Sequence, residues 1–211
     1  MTTQALRNGP TPSLAARLRE AAGEHAAACY QCGKCTAGCP LAAEMDLKPN
    51  QVFRLLQMQT PEADAEVLGS LAIWLCLACE TCATRCPQEV SLAATMDFLR
   101  QEAVARGVAH PRAKDILAFH ESFLNTVRAN GRLHEVSLVA AYKLKTMHLF
   151  QDVLVAPKLL ARGKLGILPH KIAGQAAVEK IFAKAQAASA KAREKNIDAA
   201  ASHGHHGEGH A

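Results

Sequence analysis

The stretch CYQCGKCTAGCP, residues 29–40, sets the fold of this chain. Its four cysteines are followed directly by a proline, and the same cysteine spacing returns in CLACETCATRCP, residues 76–87. Each cysteine of the first run precedes its counterpart in the second by 47 residues, and the eight cysteines of the chain all lie in these two runs. The chain therefore carries an internal repeat that is centred on thiol side chains.

The spacing within each run suits an iron–sulfur cluster. Three thiolates in a C-x-x-C-x-x-C loop can hold three corners of a cubane cluster, while the fourth cysteine turns away before its proline. In ferredoxins with two clusters and this spacing, the fourth cysteine ligates the other cluster. The sequence therefore predicts two [4Fe-4S] clusters with crossed ligation. The predicted ligands are Cys29, Cys32, Cys35 and Cys86 for the first cluster and Cys76, Cys79, Cys82 and Cys39 for the second.

Zinc and disulfide bonds are the alternatives for clustered cysteines. Structural zinc sites use paired C-x2–4-C hooks that give four ligands to a tetrahedron, and a triple C-x-x-C-x-x-C run leaves one ligand badly placed. Disulfides are rare in the cytoplasm, which is where this chain is expected because its N-terminus has no basic-then-apolar signal segment. The apolar run LAIWLCLAC is far shorter than the roughly 20 residues that span a bilayer, so no transmembrane segment is expected.

Composition and charge restrict the class of partner. Aromatic residues make up only 4% of the 211 residues, which leaves little for stacking on nucleic-acid bases, and no nucleic-acid partner is expected. Residues 1–100 hold eight Lys and Arg against ten Asp and Glu, whereas residues 101–211 hold sixteen against nine. The basic second half favours an acidic partner surface, and a solvated basic face is the simpler interpretation.

Apolar residues around the motifs recur with the period of a helix, and no convincing strand pattern is present. We predict an all-α fold in which residues 11–28 and residues 60–75 each run as one helix toward a cysteine run. Residues 151–174, which are punctuated by Gly and Pro, are predicted to be loop. In the helix over residues 110–131, the predicted inner face is Ile116, His120, Phe123 and Val127.

Charges between the cysteines predict unequal reduction potentials. Lys34 lies within the first run, Arg85 precedes Cys86, and Glu80 lies within the second run. Positive charge stabilises the reduced cluster, so the cluster at Cys29 is predicted to have the higher potential. The alternative is that these side chains point into water and are screened.

The chain lacks the residues of a self-contained enzyme. No G-x-G-x-x-G fingerprint follows a strand, so a nucleotide or flavin site is not expected. No two histidines combine with a nearby carboxylate into a recognisable site, and no cysteine remains for thiol chemistry once eight bind iron. We therefore expect no catalytic residue in this chain. Electrons are expected to enter it from one protein and to leave it to another.

The cysteine runs, together with DFLRQEAVARG (residues 97–107) and NGRLHEVSLVAAYKLKTM (residues 130–147), resemble the C subunit of heterodisulfide reductase. The resemblance covers about residues 20–185, and it implies the α-helical ferredoxin fold with two [4Fe-4S] clusters. It also implies two partners, a flavoprotein subunit that holds iron–sulfur clusters of its own and a cysteine-rich subunit where disulfide chemistry occurs. The extension after residue 135 resembles the heterodisulfide reductase-like complexes of bacterial sulfur oxidisers more than it resembles the shorter subunit of methanogens.

The expected function is a non-catalytic electron relay within an oxidoreductase complex. A stand-alone ferredoxin-type carrier is one alternative, and the iron–sulfur subunit of a glycolate- or lactate-oxidising complex is another. The expected parts of the chain are a flexible N-terminus (1–12), the α-helical ferredoxin domain (13–108), a helical extension for partner docking (109–196) and a disordered His-rich tail (197–211).

Overall fold

A computed structural model describes residues 12–147, 156–163, 166 and 168–201 of the chain. Within these ranges the secondary structure consists of α-helices and short 3₁₀ turns without a strand, so the predicted all-α class is confirmed. None of the described helices is both long and apolar enough to cross a membrane. The chain divides into two compact units, residues 1–111 with 195–211 and residues 112–194.

The first unit contains both cysteine runs on short helices that are framed by longer ones. Each run places its third cysteine on a helix of a single turn, and longer helices precede and follow the runs. The α-helices that lie entirely within the described part of this unit are α1 (Leu14–Ala22), α2 (Lys34–Ala37), α3 (Pro49–Met58), α4 (Pro61–Gly69), α5 (Ala72–Leu75), α6 (Thr81–Thr84) and α7 (Leu92–Ala105).

The helix predicted over residues 11–28 is shorter than expected. Helix α1 starts after Ser13, whose hydroxyl accepts a hydrogen bond from the Ala16 N–H. It ends at Ala22 because Gly23 adopts a left-handed conformation with φ 71°, a frequent stop signal at helix C-termini. A separate 3₁₀ turn, Ala26–Ala28, then leads to Cys29. The prediction of one continuous helix is therefore wrong in its second half.

The helix predicted over residues 60–75 is also broken. Helix α4 starts at Pro61 after Thr60, whose side chain accepts a hydrogen bond from the Ala63 N–H, but it ends at Gly69. The two oxygens of the Asp46 carboxylate accept hydrogen bonds from the N–H groups of Leu71 and Ala72, both at 2.7 Å. A carboxylate that satisfies two consecutive N–H groups stabilises a new helix start, so α5 begins as a separate turn before Cys76.

The core of the first unit lies where α1, α3, α4 and α7 pack together. Each helix contributes apolar side chains that are almost completely buried, and burial of one such side chain is worth about 1.5–3 kcal/mol. An ion pair between Arg17 and Glu102, 2.6 Å apart, joins α1 to α7, and Arg106 also contacts Glu102. The fully buried apolar side chains include Leu14, Leu18, Val52, Leu56, Val67, Met96 and Leu99.

The second unit is built on α8 (Lys114–Asn130) and α9 (Glu135–Thr146), which pack against each other. The face of α8 predicted to be buried is not the buried one. Its buried residues are polar, at positions 122, 126 and 130, while Phe119 and Phe123 are exposed by 43% and 37%. The ring of Phe119 contacts the Tyr142 ring edge-on, with centroids 5.9 Å apart. The buried polar residues are Ser122, Thr126 and Asn130.

Two further boundaries differ from the predictions. A short helix, α10 (Ala156–Ala161), lies in the region predicted to be loop. Helix α11 (Gln175–Ala201) continues past residue 197, where the disordered tail was predicted to begin. Residues 1–11 and 202–211, which include most of the predicted flexible ends, lie outside the described residues.

Candidate iron–sulfur site

The two cysteine runs follow the same backbone path. The first cysteine of each run has a similar backbone conformation, with φ −72° and ψ 114° at Cys29 and φ −59° and ψ 122° at Cys76. Two residues later φ is positive in both runs, 62° at Gln31 and 50° at Ala78. Positive φ is uncommon for residues other than glycine, so its recurrence at equivalent positions indicates that the loop geometry is needed for the site.

A second left-handed residue precedes each short helix. Gly33 has φ 75° before α2, and its counterpart Glu80 has φ 58° before α6. A left-handed residue next to a right-handed one directs successive N–H groups into one concavity, an arrangement found at many anion and iron–sulfur sites. Each loop can therefore offer backbone donors as well as thiols to one bound group.

Two cavities in the first unit are lined by cysteines. The first three cysteines of the first run line one cavity together with the fourth cysteine of the second run. The first three cysteines of the second run line the other cavity together with the fourth cysteine of the first run. The first cavity is lined by Cys29, Cys32, Cys35, Cys82 and Cys86, with Gly33, Lys34, Asn50, Phe53, Val90 and Leu92. The second is lined by Cys39, Cys76, Cys79 and Cys82, with Pro40, Leu41, Met45, Pro49, Leu77, Ala78, Glu80, Thr81, Leu92, Ala93 and Met96.

The cavities are neighbours because Cys82 and Leu92 line both of them. The structure thus brings together all eight predicted ligands in the two predicted groupings, with Cys82 on the shared wall. Soft thiolate donors in sets of four fit iron–sulfur clusters. Within the described residues, no three His, Cys, Asp or Glu side chains converge as they would around a single metal ion; the cysteines are instead distributed around cavity walls. The assignment of each cysteine to one cluster stays a prediction.

The side chains between the cysteines make the two cavities chemically different. Lys34 and Asn50 line the first cavity, whereas the second has Glu80 and the apolar side chains of Met45 and Met96. Arg85 lines neither. A Cβ atom added at Gly38 would lie 2.8 Å from both Cδ and Nη1 of Arg85, so the Arg85 side chain rests against the glycine next to Cys39.

Burial and hydrogen bonds shift the pKa of three of the thiols. Burial raises the pKa of Cys35 and of Cys82, and the pKa of Cys82 is raised further by the nearby thiols of Cys76 and Cys35. In contrast, hydrogen bonds from the side chain and backbone of Thr81 lower the pKa of Cys79. Iron binds the thiolate, so binding at the buried positions releases protons.

Hydrogen bonds hold the start of each run. Gln57 Nε2 donates to the carbonyls of Ala26 and Cys29, at 2.9 and 2.6 Å. At the equivalent carbonyls of the second run, 47 residues later, the guanidinium of Arg100 donates to Ile73 and Cys76. The two loops are therefore fixed to the longer helices in the same way, one through a neutral amide and the other through a cation.

A second network lies beside the first cavity. The Gln31 side-chain amide donates to Cys29 Sγ at 3.4 Å, and its oxygen accepts from Asn50 Nδ2 at 3.3 Å. The hydroxyl of Thr36 donates to Asn50 Oδ1 at 2.6 Å. The sequence motifs identify the cysteines but none of these supporting residues. Aligning the two runs on their 47-residue offset would have shown that glutamine at 31 stands opposite alanine at 78.

Comparison with known proteins agrees with this site. Residues 25–90 match the family described as 4Fe-4S dicluster domain. The H2:CoB–CoM heterodisulfide,ferredoxin reductase C subunit of Methanothermobacter thermautotrophicus is 28% identical over 103 residues, 49% of this chain and 54% of the relative. The CoB–CoM heterodisulfide reductase iron-sulfur C subunit of Methanopyrus kandleri is 30% identical over 109 residues, 52% of this chain and 55% of the relative.

A third relative has a shorter match. The ferredoxin:CoB–CoM heterodisulfide reductase C subunit of Methanosarcina acetivorans is 40% identical over 80 residues, 38% of this chain and 31% of the relative. The chain thus spans about half or less of the relatives it matches. The predicted resemblance and the two [4Fe-4S] clusters are confirmed: residues 25–90 match the 4Fe-4S dicluster domain, in a chain similar to the C subunit of heterodisulfide reductase.

Proposed function

We propose that the chain is the electron-transferring iron–sulfur subunit of a heterodisulfide reductase-like complex. It would relay electrons between a flavoprotein subunit with iron–sulfur clusters and a separate cysteine-rich subunit. The disulfide or sulfur chemistry is assigned to the cysteine-rich partner, and this chain would supply no catalytic residue. The observation that carries the proposal is the pair of cysteine-lined cavities that share Cys82 and Leu92 as a common wall.

A common wall suits electron transfer because it would keep the two bound groups next to each other, with the side chains of Cys82 and Leu92 on the wall between them. [4Fe-4S] clusters supply one-electron chemistry when bound. The chain's own residues would ligate them, keep them adjacent and limit solvent: Phe53 and Val90 are buried beside the first cavity and Met96 beside the second. Low solvent exposure also reduces the charge rearrangement that accompanies each electron.

The proposed ligand sets are crossed. Cys86 would complete the set of Cys29, Cys32 and Cys35, and Cys39 would complete the set of the second run. This crossing is supported by the lining of the two cavities. It would also join the two halves of the repeat through inorganic bridges, so loading with iron would stabilise the fold of the unit.

The second unit favours membership of a complex over a stand-alone carrier. Several large apolar side chains on α8, on α9 and directly after α9 are exposed, among them Leu124 by 50%, Leu144 by 69% and Met147 by 73%. Apolar surface of this kind is a frequent mark of protein contact. We propose that residues 109–196 include the docking surface for the partner proteins of the complex.

Anaerobic isolation from the native source tests the proposal. The expected result is a complex that contains this chain, a flavoprotein and a cysteine-rich protein in fixed proportion, with about eight iron and eight sulfide per copy of this chain. Elution of the iron-loaded chain alone, with reduction by several unrelated oxidoreductases, would favour the stand-alone carrier. Association with a glycolate- or lactate-oxidising flavoprotein would favour the other alternative.

A further inference from the structure

We propose that Gln31 raises the reduction potential of the first cluster by donating a hydrogen bond from its side-chain amide to the sulfur of Cys29. This inference rests on the proposed function, because it takes Cys29 as a cluster ligand. The distance from Gln31 Nε2 to Cys29 Sγ is 3.4 Å, which is within the range for N–H donation to sulfur. Gln31 is thus a tuning residue that acts through a ligand.

The orientation of the Gln31 amide is fixed by its neighbours. Asn50 Nδ2 donates to Gln31 Oε1 at 3.3 Å, so the oxygen end of the amide is already used as an acceptor. Asn50 is itself oriented, since its Oδ1 accepts from the Thr36 hydroxyl at 2.6 Å. Its backbone N–H donates to the same hydroxyl oxygen at 3.1 Å. With the Gln31 oxygen committed to Asn50, the NH₂ group is the end that faces sulfur.

The equivalent position of the second run has no such donor. Ala78 repeats the left-handed backbone of Gln31, with φ 50° against 62°, but a methyl group donates no hydrogen bond. The second run has a different contact, between Cys79 Sγ and Thr81 Oγ1 at 3.5 Å, in an exposed position where water competes. The same backbone therefore carries an anchored amide at one site only.

The direction of the effect follows from charge. A reduced cluster carries one more negative charge than the oxidised cluster, and this charge is spread over its sulfur ligands. A hydrogen bond to a ligand sulfur stabilises the reduced form more than the oxidised form, and hydrogen bonds to sulfur are among the features that set cluster potentials. Gln31 and Asn50 are half-buried, so solvent screens this contact less than it screens a surface charge.

The test is an EPR-monitored redox titration of the full-length, anaerobically purified protein and its Gln31→Met variant. Methionine has a similar length but no N–H to donate. The signal of the first cluster is identified as the one altered by Cys32→Ser. We expect its midpoint potential to fall in Gln31→Met, with the other signal unchanged and full iron content.

Gln59→Met is the matched control. Gln59 also has a left-handed backbone, φ 52°, but its side chain contacts the Ser13 hydroxyl at 3.5 Å and no cysteine. This variant should leave both potentials where they are. An equal fall in Gln59→Met, or an unchanged or raised potential in iron-loaded Gln31→Met, overturns the inference.

Asn50→Ala keeps the inference testable if Gln31→Met does not retain its cluster. This substitution preserves Gln31 and the helix but removes the side chain that orients the Gln31 amide. The midpoint potential of the first cluster should therefore fall, but by less than in Gln31→Met. An unchanged potential in Asn50→Ala overturns the anchoring role of Asn50 and Thr36. Absence of iron from the wild-type protein would instead defeat the proposed function, which separates the two failures.

Discussion

The two cysteine runs share a backbone path but differ at every position between the ligands. Left-handed residues stand at the same two positions, yet the first run has Gln31 and Gly33 where the second has Ala78 and Glu80. The recurrence of these uncommon conformations at equivalent positions indicates that both loops need the same backbone path. The side chains are free to differ, and they set the charge and hydrogen bonding around each site.

The side chains that hold the two loops from neighbouring helices also differ, in their charge. Carbonyls at equivalent positions are satisfied by neutral Gln57 in the first half and by cationic Arg100 in the second. The segment that enters the second run is capped by the Asp46 carboxylate, whereas the 3₁₀ turn that enters the first has no side-chain cap at His25. The second run is therefore held by charged groups and the first by amides.

Substitution of the fourth cysteine of either run should have the largest effect on cluster content, and it tests the crossed ligation. We expect Cys86→Ser to remove the cluster at Cys29 and to leave the cluster at Cys76, because Cys86 lines the first cavity. Cys39→Ser should have the opposite effect, because Cys39 lines the second cavity. In each variant iron should fall from about eight to about four per chain, and EPR should show which signal is lost.

Ligation within each run would give the reverse outcome. Cys86→Ser would then remove the signal that Cys79→Ser also removes, and Cys39→Ser the signal that Cys32→Ser removes. Such a result would contradict the crossed assignment while leaving the two-cluster domain intact.

Removing the side chain that donates hydrogen bonds to these carbonyls should lower the free energy of unfolding more in the second half than in the first. Arg100→Met leaves the carbonyls of Ile73 and Cys76 without their charged donor, and we expect the free energy of unfolding to fall by about 2–3 kcal/mol. Gln57→Met removes a neutral donor and should cost about 1 kcal/mol. Anaerobic chemical unfolding of the iron-loaded protein measures both.

Arg54→Met serves as the control, because Arg54 lies on an exposed face of α3. This substitution should change the free energy of unfolding by less than about 0.5 kcal/mol. Equal losses in Gln57→Met and Arg100→Met would show that the charge of Arg100 contributes nothing beyond the hydrogen bonds.

Sequence reasoning worked where the chemistry is local. The cysteine spacing predicted the two [4Fe-4S] clusters that the family match confirms, and the helix predicted over residues 110–131 ends where Gly131 adopts a left-handed conformation. It failed where a distant group decides the structure. Asp46 caps a helix start 25 residues away, and Asn50 anchors a side chain 19 residues away; neither contact leaves a periodic signal in the sequence.

The inner face of α8 was missed for a different reason. Apolar residues occur on several sides of this helix, so periodicity alone does not select one face. The buried side chains of this helix are instead the small polar ones of Ser122 and Thr126, and the Thr126 hydroxyl donates a hydrogen bond to the Phe123 carbonyl. The aromatic residues then remain on the surface, where another protein of the proposed complex can cover them.

The Asp46 cap should give a smaller and pH-dependent effect. Burial alone would raise the pKa of Asp46, but hydrogen bonds from the N–H groups of Leu71, Leu47 and Ala72 outweigh it and lower the pKa. A lowered pKa means that the cap stabilises the fold above the unfolded-state value of about 3.9 and that this contribution is lost as pH falls through the folded-state value. Asp46→Asn should cost about 1 kcal/mol at neutral pH.

Thermal unfolding of wild type and Asp46→Asn, followed from pH 7 toward pH 3, measures this contribution. The gap in melting temperature should be widest at neutral pH and should close in acid. Asp97→Asn is the control, since the Asp97 carboxylate is exposed and pairs with Arg100 at 2.8 Å on the surface of its own helix. A gap that persists unchanged in acid would mean that the carboxylate charge is irrelevant to the cap.

The charges inside the loops are expected to have the smallest effect. Lys34 lines the first cavity and Glu80 the second, in agreement with the signs used to predict a higher potential for the first cluster. Arg85 lies against Gly38 and lines neither cavity. Lys34 and Glu80 are both exposed, so water and salt screen their charges.

Redox titration of Lys34→Gln and Glu80→Gln at two salt concentrations measures these charges. Lys34→Gln should lower the potential of the first cluster slightly, and Glu80→Gln should raise that of the second. Both shifts should shrink between about 0.1 M and 1 M salt, as the screening length falls from about 10 Å to about 3 Å. The Gln31 contribution should persist at high salt because it acts through a direct hydrogen bond. Potentials that respond to Lys34 and Glu80 as strongly as to Gln31, at both salt concentrations, would mean that charge and not hydrogen bonding separates the two sites.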